Sequence, residues 1–146
     1  MYFVDREKIE DTLSYLEQQI SLFEEVKEWT SPIEKAALER IAQIMIESIL
    51  DIGNTMIDGF IMRDPGSYDD IVDILDDEKV ISKEMSESFK QFITYRKMLV
   101  QNYTDVNHEG LKAAISSHIP MIKEFPGRVR EYLINELGPV SAFKPQ

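Results

Sequence analysis

The feature that most limits what this chain can fold into is a helical spacing of apolar residues that recurs almost from end to end. Ile9, Leu13, Leu16, Ile20 and Phe23 follow one another at steps of four and three, which puts them on a single face of an α-helix. Leu38, Ile41, Met45, Ile49, Ile52 and Met56 repeat the pattern. So do Met85, Phe89, Phe92, Leu99 and Tyr103, and then Leu111, Ile115, Ile119, Ile122, Phe125, Val129 and Leu133. No segment alternates convincingly at a period of two, so no strand is expected.

Local signals punctuate these stripes. Asp5 suits the cap of a first helix over about 5–28. Ser31 before Pro32 opens a second over about 32–62, with Gly53 and Gly59 inside it. A glycine within a helix costs up to ~1 kcal/mol against alanine, so these two mark either the close approach of a neighbour or a weakened end. RDPGS is a loop, and Ser67 with Asp70 makes a capping-box-like start for a short helix over about 68–75. Ser82 caps a fourth helix and Asn107 a last one, in which Pro120 and Pro126 should kink or split the rod. Gly138 and Pro139 end it and leave a tail, 138–146. Trp29 sits at the end of the first helix, read either as an interface residue or as a partly exposed packing residue. Four long helices and a short one with short connections predict an all-α, antiparallel up-and-down bundle, one domain over 1–146.

Composition narrows the function. With no cysteine and two histidines, His108 and His118, the chain lacks the soft ligands of a zinc site. The net charge of -11 opposes sequence-blind binding to nucleic acid, so DNA is not expected and any RNA contact must be local. The opening MYFVDREKIE has no apolar signal core, and no apolar run has membrane-spanning length; a soluble, cytoplasmic protein is expected, with no membrane contact.

One residue breaks the pattern. On the fourth helix, positions 85, 89, 92, 96, 99 and 103 share a face, and all are apolar or aromatic except Arg96. A guanidinium on such a stripe needs an acid, water or an opening. Glu47, Asp51, Asn54 and Asp58 are spaced four, three and four on the second helix, one polar stripe that can supply the partner. Spacing alone favours a structural ion pair over a cleft. As a magnesium site the stripe lacks the paired acidic motifs of helical pyrophosphatases, and no metal is expected. Arg96 and Tyr103 lie two turns apart on one face, whereas Gln101 is about 140° from Arg96 on an ideal helix. Arg96 and Gln101 act together only if the helix ends near residue 101 or a second chain completes the site.

RKMLVQNY, Arg96 to Tyr103, resembles the R-x-x-x-x-H-x-Y motif of HepT-like proteins of the HEPN superfamily. ESILDIGNTMIDGF and DPGSYDDIVDIL resemble the second helix and middle region of the same family, and MYFVDREKIEDTLSYLE and ELGPVSAF are similar to its YutE-like group. The resemblance covers nearly the whole chain. It implies a HEPN-like bundle that dimerises through the motif-bearing face, with the motif in a cleft between protomers. It also implies an RNA-cleaving toxin whose partner is an MntA-like nucleotidyltransferase antitoxin, able to adenylylate the motif tyrosine. By position, Arg96 matches the motif arginine and Tyr103 the modified tyrosine.

The motif histidine falls on Gln101, and the asparagine usual after the arginine on Lys97. Histidine can move protons near neutral pH, whereas glutamine does not titrate. The expected catalytic set is therefore Arg96, Gln101 and Tyr103, lined by Glu47, Asp51, Asn54, Asp58, Lys97 and Asn102, with Tyr103 the modification candidate. Two functions remain open at this point. One is a weak or inactive toxin-type ribonuclease homologue, metal-independent if active. The other is a non-catalytic homodimer that binds RNA, a nucleotide or a nucleotidyltransferase. His108, beside a helix cap, is read as a solvated surface residue rather than a substitute base.

Overall fold

A computed structural model describes residues 2–138, and the rest of the expected tail, 139–146, lies outside the described residues. The order is α1 (Arg6–Glu25), α2 (Pro32–Gly59), α3 (Tyr68–Asp77), α4 (Lys83–Phe92), a 3₁₀ turn (Ile93–Tyr95), α5 (Arg96–Val100) and α6 (His108–Leu137). No strand occurs among the described residues.

The helices begin where side-chain oxygens can satisfy their first free N–H groups. Asp5 accepts the Lys8 N–H at 3.0 Å. Ser31 and Glu34 cap α2 reciprocally, at 3.1 and 2.9 Å. Ser67 accepts from Asp70, Ser82 from Met85 and Asn107 from Gly110, each through the backbone N–H. Asp70 does not return the bond to Ser67; its carboxylate accepts from the Gly66 N–H and from Arg63 instead. At the far end of α6, Gly138 turns the chain at φ 83°, a value that favours glycine.

α2 is the central rod, packed against α1, α3, α5 and α6, while α6 also contacts α1 and α4. Its 28 residues make it about 42 Å long. The four apolar stripes meet in one core around Leu13, Leu16, Met45, Ile49, Phe89, Phe92, Ile115 and Phe125. Burial of each large apolar side chain contributes about 1.5–3 kcal/mol before conformational entropy is subtracted. Arg130 of α6 clamps α1 from outside, donating to Glu10 at 2.6 Å and Glu17 at 2.9 Å, and holds both carboxyls below their usual range.

Several expectations change. α1 stops at Glu25 rather than 28 and α2 at Gly59 rather than 62, while α3 extends to Asp77. Trp29 is buried and stacked on Phe23 at 5.8 Å. α6 is not split at Pro120 or Pro126. Each proline removes only its own N–H bond, and Ile122, Phe125 and Val129 hold that stretch in the core. The fourth helix is the larger departure: it is two helices joined by the 3₁₀ turn.

Both glycines of α2 mark close approach. A Cβ on Gly59 would lie 3.0 Å from the Val4 Cα, and one on Gly53 would lie 2.5 Å from Cγ2 of Ile71 in α3. Gly53→Ala therefore sets a helix-propensity gain of up to ~1 kcal/mol against overpacking, which typically costs ~1–3 kcal/mol. Ile71 is buried and branched and cannot swing aside. Gly53→Ala should lower the unfolding free energy by roughly 1–2 kcal/mol in urea titration; a gain would mean that α2 and α3 are not in this contact.

Candidate functional site

The 3₁₀ turn determines where Arg96 points. A 3₁₀ turn advances about 120° per residue against 100° for an α-helix, so three such residues rotate the next helix by about 60°. Leu99 stays buried, while Arg96 swings to the rim of the stripe with its side chain 26% exposed. Its Nε donates to Oε1 of Glu47 on α2 at 2.6 Å. The guanidinium carbon also lies 4.8 Å from the centre of the Tyr68 ring, at the first residue of α3. Among the described residues the terminal nitrogens of Arg96 make no hydrogen bond, so the forked end of the group is free. The ion pair with the second helix is therefore present, but the enclosure of Arg96 within one protomer's core is not.

α5 ends at Val100, with Gln101 as its cap residue; its N–H donates to the Lys97 carbonyl at 2.9 Å, and the Asn102 N–H donates to the same oxygen at 3.2 Å. Gln101 itself keeps right-handed helical angles, φ -108° and ψ -40°, so it continues the α-helical course, and among the described residues no hydrogen bond joins it to Arg96. Tyr103 does not stay on the inward stripe: it lies in a turn beyond the helix, 65% exposed. Gln101, Asn102 and Lys97 are exposed as well. The chain returns to α6 with the Asn107 N–H donating to Sδ of Met98 at 3.4 Å.

The acidic stripe of α2 divides. Glu47 holds Arg96, whereas Asp51, one turn on, makes no side-chain hydrogen bond among the described residues. Its carboxyl is raised above the usual range by desolvation and then by the charge of Glu47, with Lys8 and Arg96 pulling the other way. Asn54 and Asp58 are farther along, exposed and not bonded to Arg96. No group of three or more His, Asp or Glu side chains with metal-holding geometry occurs among the described residues.

Two participants lie outside the stripes read from sequence. Tyr68 was hidden by its place at the start of a short helix, before the apolar points Ile71, Ile74 and Leu75. His108 is not a solvated residue: its Nε2 is 2.7 Å from Oε2 of Glu39 on α2, and its side chain is 22% exposed. Glu39 is eight residues before Glu47, about 12 Å along the helix. The polar stripe continues toward the start of α2 through Gln43 to Glu39, and that extension was its sequence signal. Two carboxylates of one helix thus hold both ends of the segment from Arg96 to His108.

Comparison with known proteins identifies the family and the fold. The family described as Ribonuclease HepT-like matches residues 6–129. A protein of Bacillus subtilis (strain 168) named "Putative RNase YutE" is 55% identical over 144 residues, 99% of this chain and 100% of the relative. The solved structure of YutE from Bacillus subtilis, a cytosolic protein, superposes with a TM-score of 0.95 over 98% of this chain and 100% of that one. A tri-AMPylated Shewanella oneidensis HEPN toxin in complex with an MNT antitoxin superposes at 0.74 with 16% identity, over 84% of this chain and 96% of that chain. The fold is that of HEPN toxins. The chain belongs to the Ribonuclease HepT-like family. Among the described residues no helix is long and apolar enough to cross a membrane.

The Asp51 carboxyl sets a pH test. Its folded pKa is raised, so the folded state binds this proton more readily than the unfolded chain. The stabilising protonation is complete below the unfolded value, about 3.9, and is lost as pH rises through the folded value. Asp51→Asn should raise the denaturation midpoint at pH 7, with the gain shrinking toward zero as pH falls below about 3.9. A loss of stability at pH 7 would show that attraction to Arg96 outweighs desolvation.

Proposed function

We propose that this chain is a toxin-type, metal-independent endoribonuclease, slowed by the glutamine at position 101. The observation that carries the reading is the state of Arg96. Glu47 takes its Nε–H and Tyr68 supports its flat face, which leaves the terminal N–H fork free for a phosphate. In RNA cleavage the 2′-oxygen attacks phosphorus, the 5′-oxygen leaves, and charge builds on the phosphoryl oxygens. Arg96 stabilises that charge, and Gln101 orients the 2′-hydroxyl by hydrogen bonding. Gln101 cannot take the proton, so water accepts it and water supplies the one that the 5′-oxygen needs. A missing general acid–base group costs ~10²–10⁴ in rate.

His108 is not the proton carrier in this scheme. Its Nε2 is engaged by Glu39, about 12 Å along α2 from the Arg96 anchor. That engagement also supports a second reading: a non-catalytic homodimer that binds RNA, a nucleotide or a nucleotidyltransferase through the same cleft. In both readings the motif face pairs with a second copy, and Val100 and Tyr103 within the motif give it exposed apolar surface. Tyr103 presents its hydroxyl to an MntA-like nucleotidyltransferase, and the protein works in the cytoplasm. Glu47, Asp51, Lys97 and Asn102 line the cleft, with Asn54 and Asp58 at its margin.

The test is incubation of the purified protein with transfer and messenger RNA in EDTA. Slow cleavage by the wild type, none by Arg96→Ala, and a rise of ~10²–10⁴ in Gln101→His are expected. Cleavage undiminished in Arg96→Ala would overturn the proposal. Binding without cleavage by the wild type, with cleavage in Gln101→His, would establish the second reading instead.

A further inference from the structure

We infer that Tyr68 is the base-stacking residue of this site, the side chain on which a nucleobase lies while its phosphate is held by Arg96. The inference rests on the reading of the Arg96 cleft as an RNA site and adds to it the group that reads the base side of the strand.

Tyr68 is fixed from below. It is the first residue of α3, directly after Ser67, whose hydroxyl accepts the Asp70 N–H at 3.1 Å. Asp70 is held in turn by the Gly66 N–H at 2.8 Å and by Arg63 at 2.9 Å. The first turn of α3 is therefore locked to the loop before it, and the ring starts from a settled backbone. The ring is backed by Arg96, with the guanidinium carbon 4.8 Å from its centre, a cation–π contact. Tyr68 is nevertheless 49% exposed, and no second ring or cation lies over it among the described residues. A half-exposed aromatic with a cation on one face and no second ring stacked on it is a ready surface for another flat group.

The surrounding charge says what kind of binding this surface supports. Asp69 follows Tyr68 directly, Asp64 stands four residues before it, and Glu47 and Asp51 lie beside Arg96. That many carboxylates oppose a polyanion, so attraction to phosphate alone is a weak source of affinity here. Stacking is insensitive to this charge, and every nucleobase has a π-face. A guanidinium on one face of the ring leaves the opposite face for a base, so one nucleotide can meet both groups through its base and its phosphate. Bases already paired in a duplex cannot reach the ring, so the arrangement suits unpaired nucleotides.

The test measures binding without cleavage, by fluorescence anisotropy with a labelled six-residue 2′-O-methyl RNA and with an abasic oligomer of equal length. Wild type should bind the base-bearing strand more tightly, by roughly 5- to 100-fold. Tyr68→Phe should keep that ratio, and Tyr68→Leu should bring it close to one. A Tyr68 that merely positions Arg96 would weaken both oligomers equally and leave the ratio intact. An intact ratio in Tyr68→Leu, or no base preference in the wild type while Arg96→Ala loses binding, would overturn this inference and leave the RNA-site reading standing. Failure of the wild type to bind either oligomer would overturn both.

Discussion

The ion pair between Arg96 and Glu47 organises the rest of the site. A guanidinium cannot shed its charge on entering a protein, so its position at the rim of an apolar stripe requires a partner. Glu47 supplies that partner at 2.6 Å and does so through Nε, the one donor whose use leaves the forked end untouched. The pair is part-buried, its side chains 26% and 28% exposed, so desolvation offsets part of the attraction and limits what the pair adds to stability. Its importance is orientation. Together with the Tyr68 ring it fixes the plane of the guanidinium.

α2 extends this logic beyond one residue. Glu39 and Glu47 reach from the same rod to His108 and Arg96, on either side of the segment that carries Gln101 and Tyr103. The motif is thereby a short helix running into an exposed turn, suspended between two polar contacts and the Asn107–Met98 contact. Held at its ends, the segment leaves Tyr103 65% exposed. The early end of α5 matters for Tyr103: an α-helix continued to residue 103 would place that side chain back on the inward face.

The helical order was legible because its signals are local. Caps such as Ser31, Ser67, Ser82 and Asn107 act within three residues, and the apolar stripes repeat within one element. The pairing of Arg96 with the α2 stripe was legible as two complementary faces. The features that escaped depend on joints and on distant contacts. The 3₁₀ turn over ITY carries no glycine or proline to announce it, yet it rotates Arg96 off the buried stripe and, with the end of α5, moves Tyr103 out of it. Tyr68 lies 28 residues from Arg96 and His108 lies 69 from Glu39, so neither contact has any local periodicity to betray it. α6 passed its prolines intact because packing outweighed propensity.

The most direct test of the account is an NMR titration of the Arg96 side chain with a short 2′-O-methyl RNA, the signals being assigned by their loss in Arg96→Lys. The Nε–H signal should remain at its hydrogen-bonded position, because Glu47 keeps that donor, while the terminal N–H signals shift and sharpen as they meet phosphate. RNA binding that leaves the terminal N–H signals unmoved, or that displaces Glu47 from Nε, would contradict the claim that Arg96 is held at one edge so that it can bind phosphate with the other.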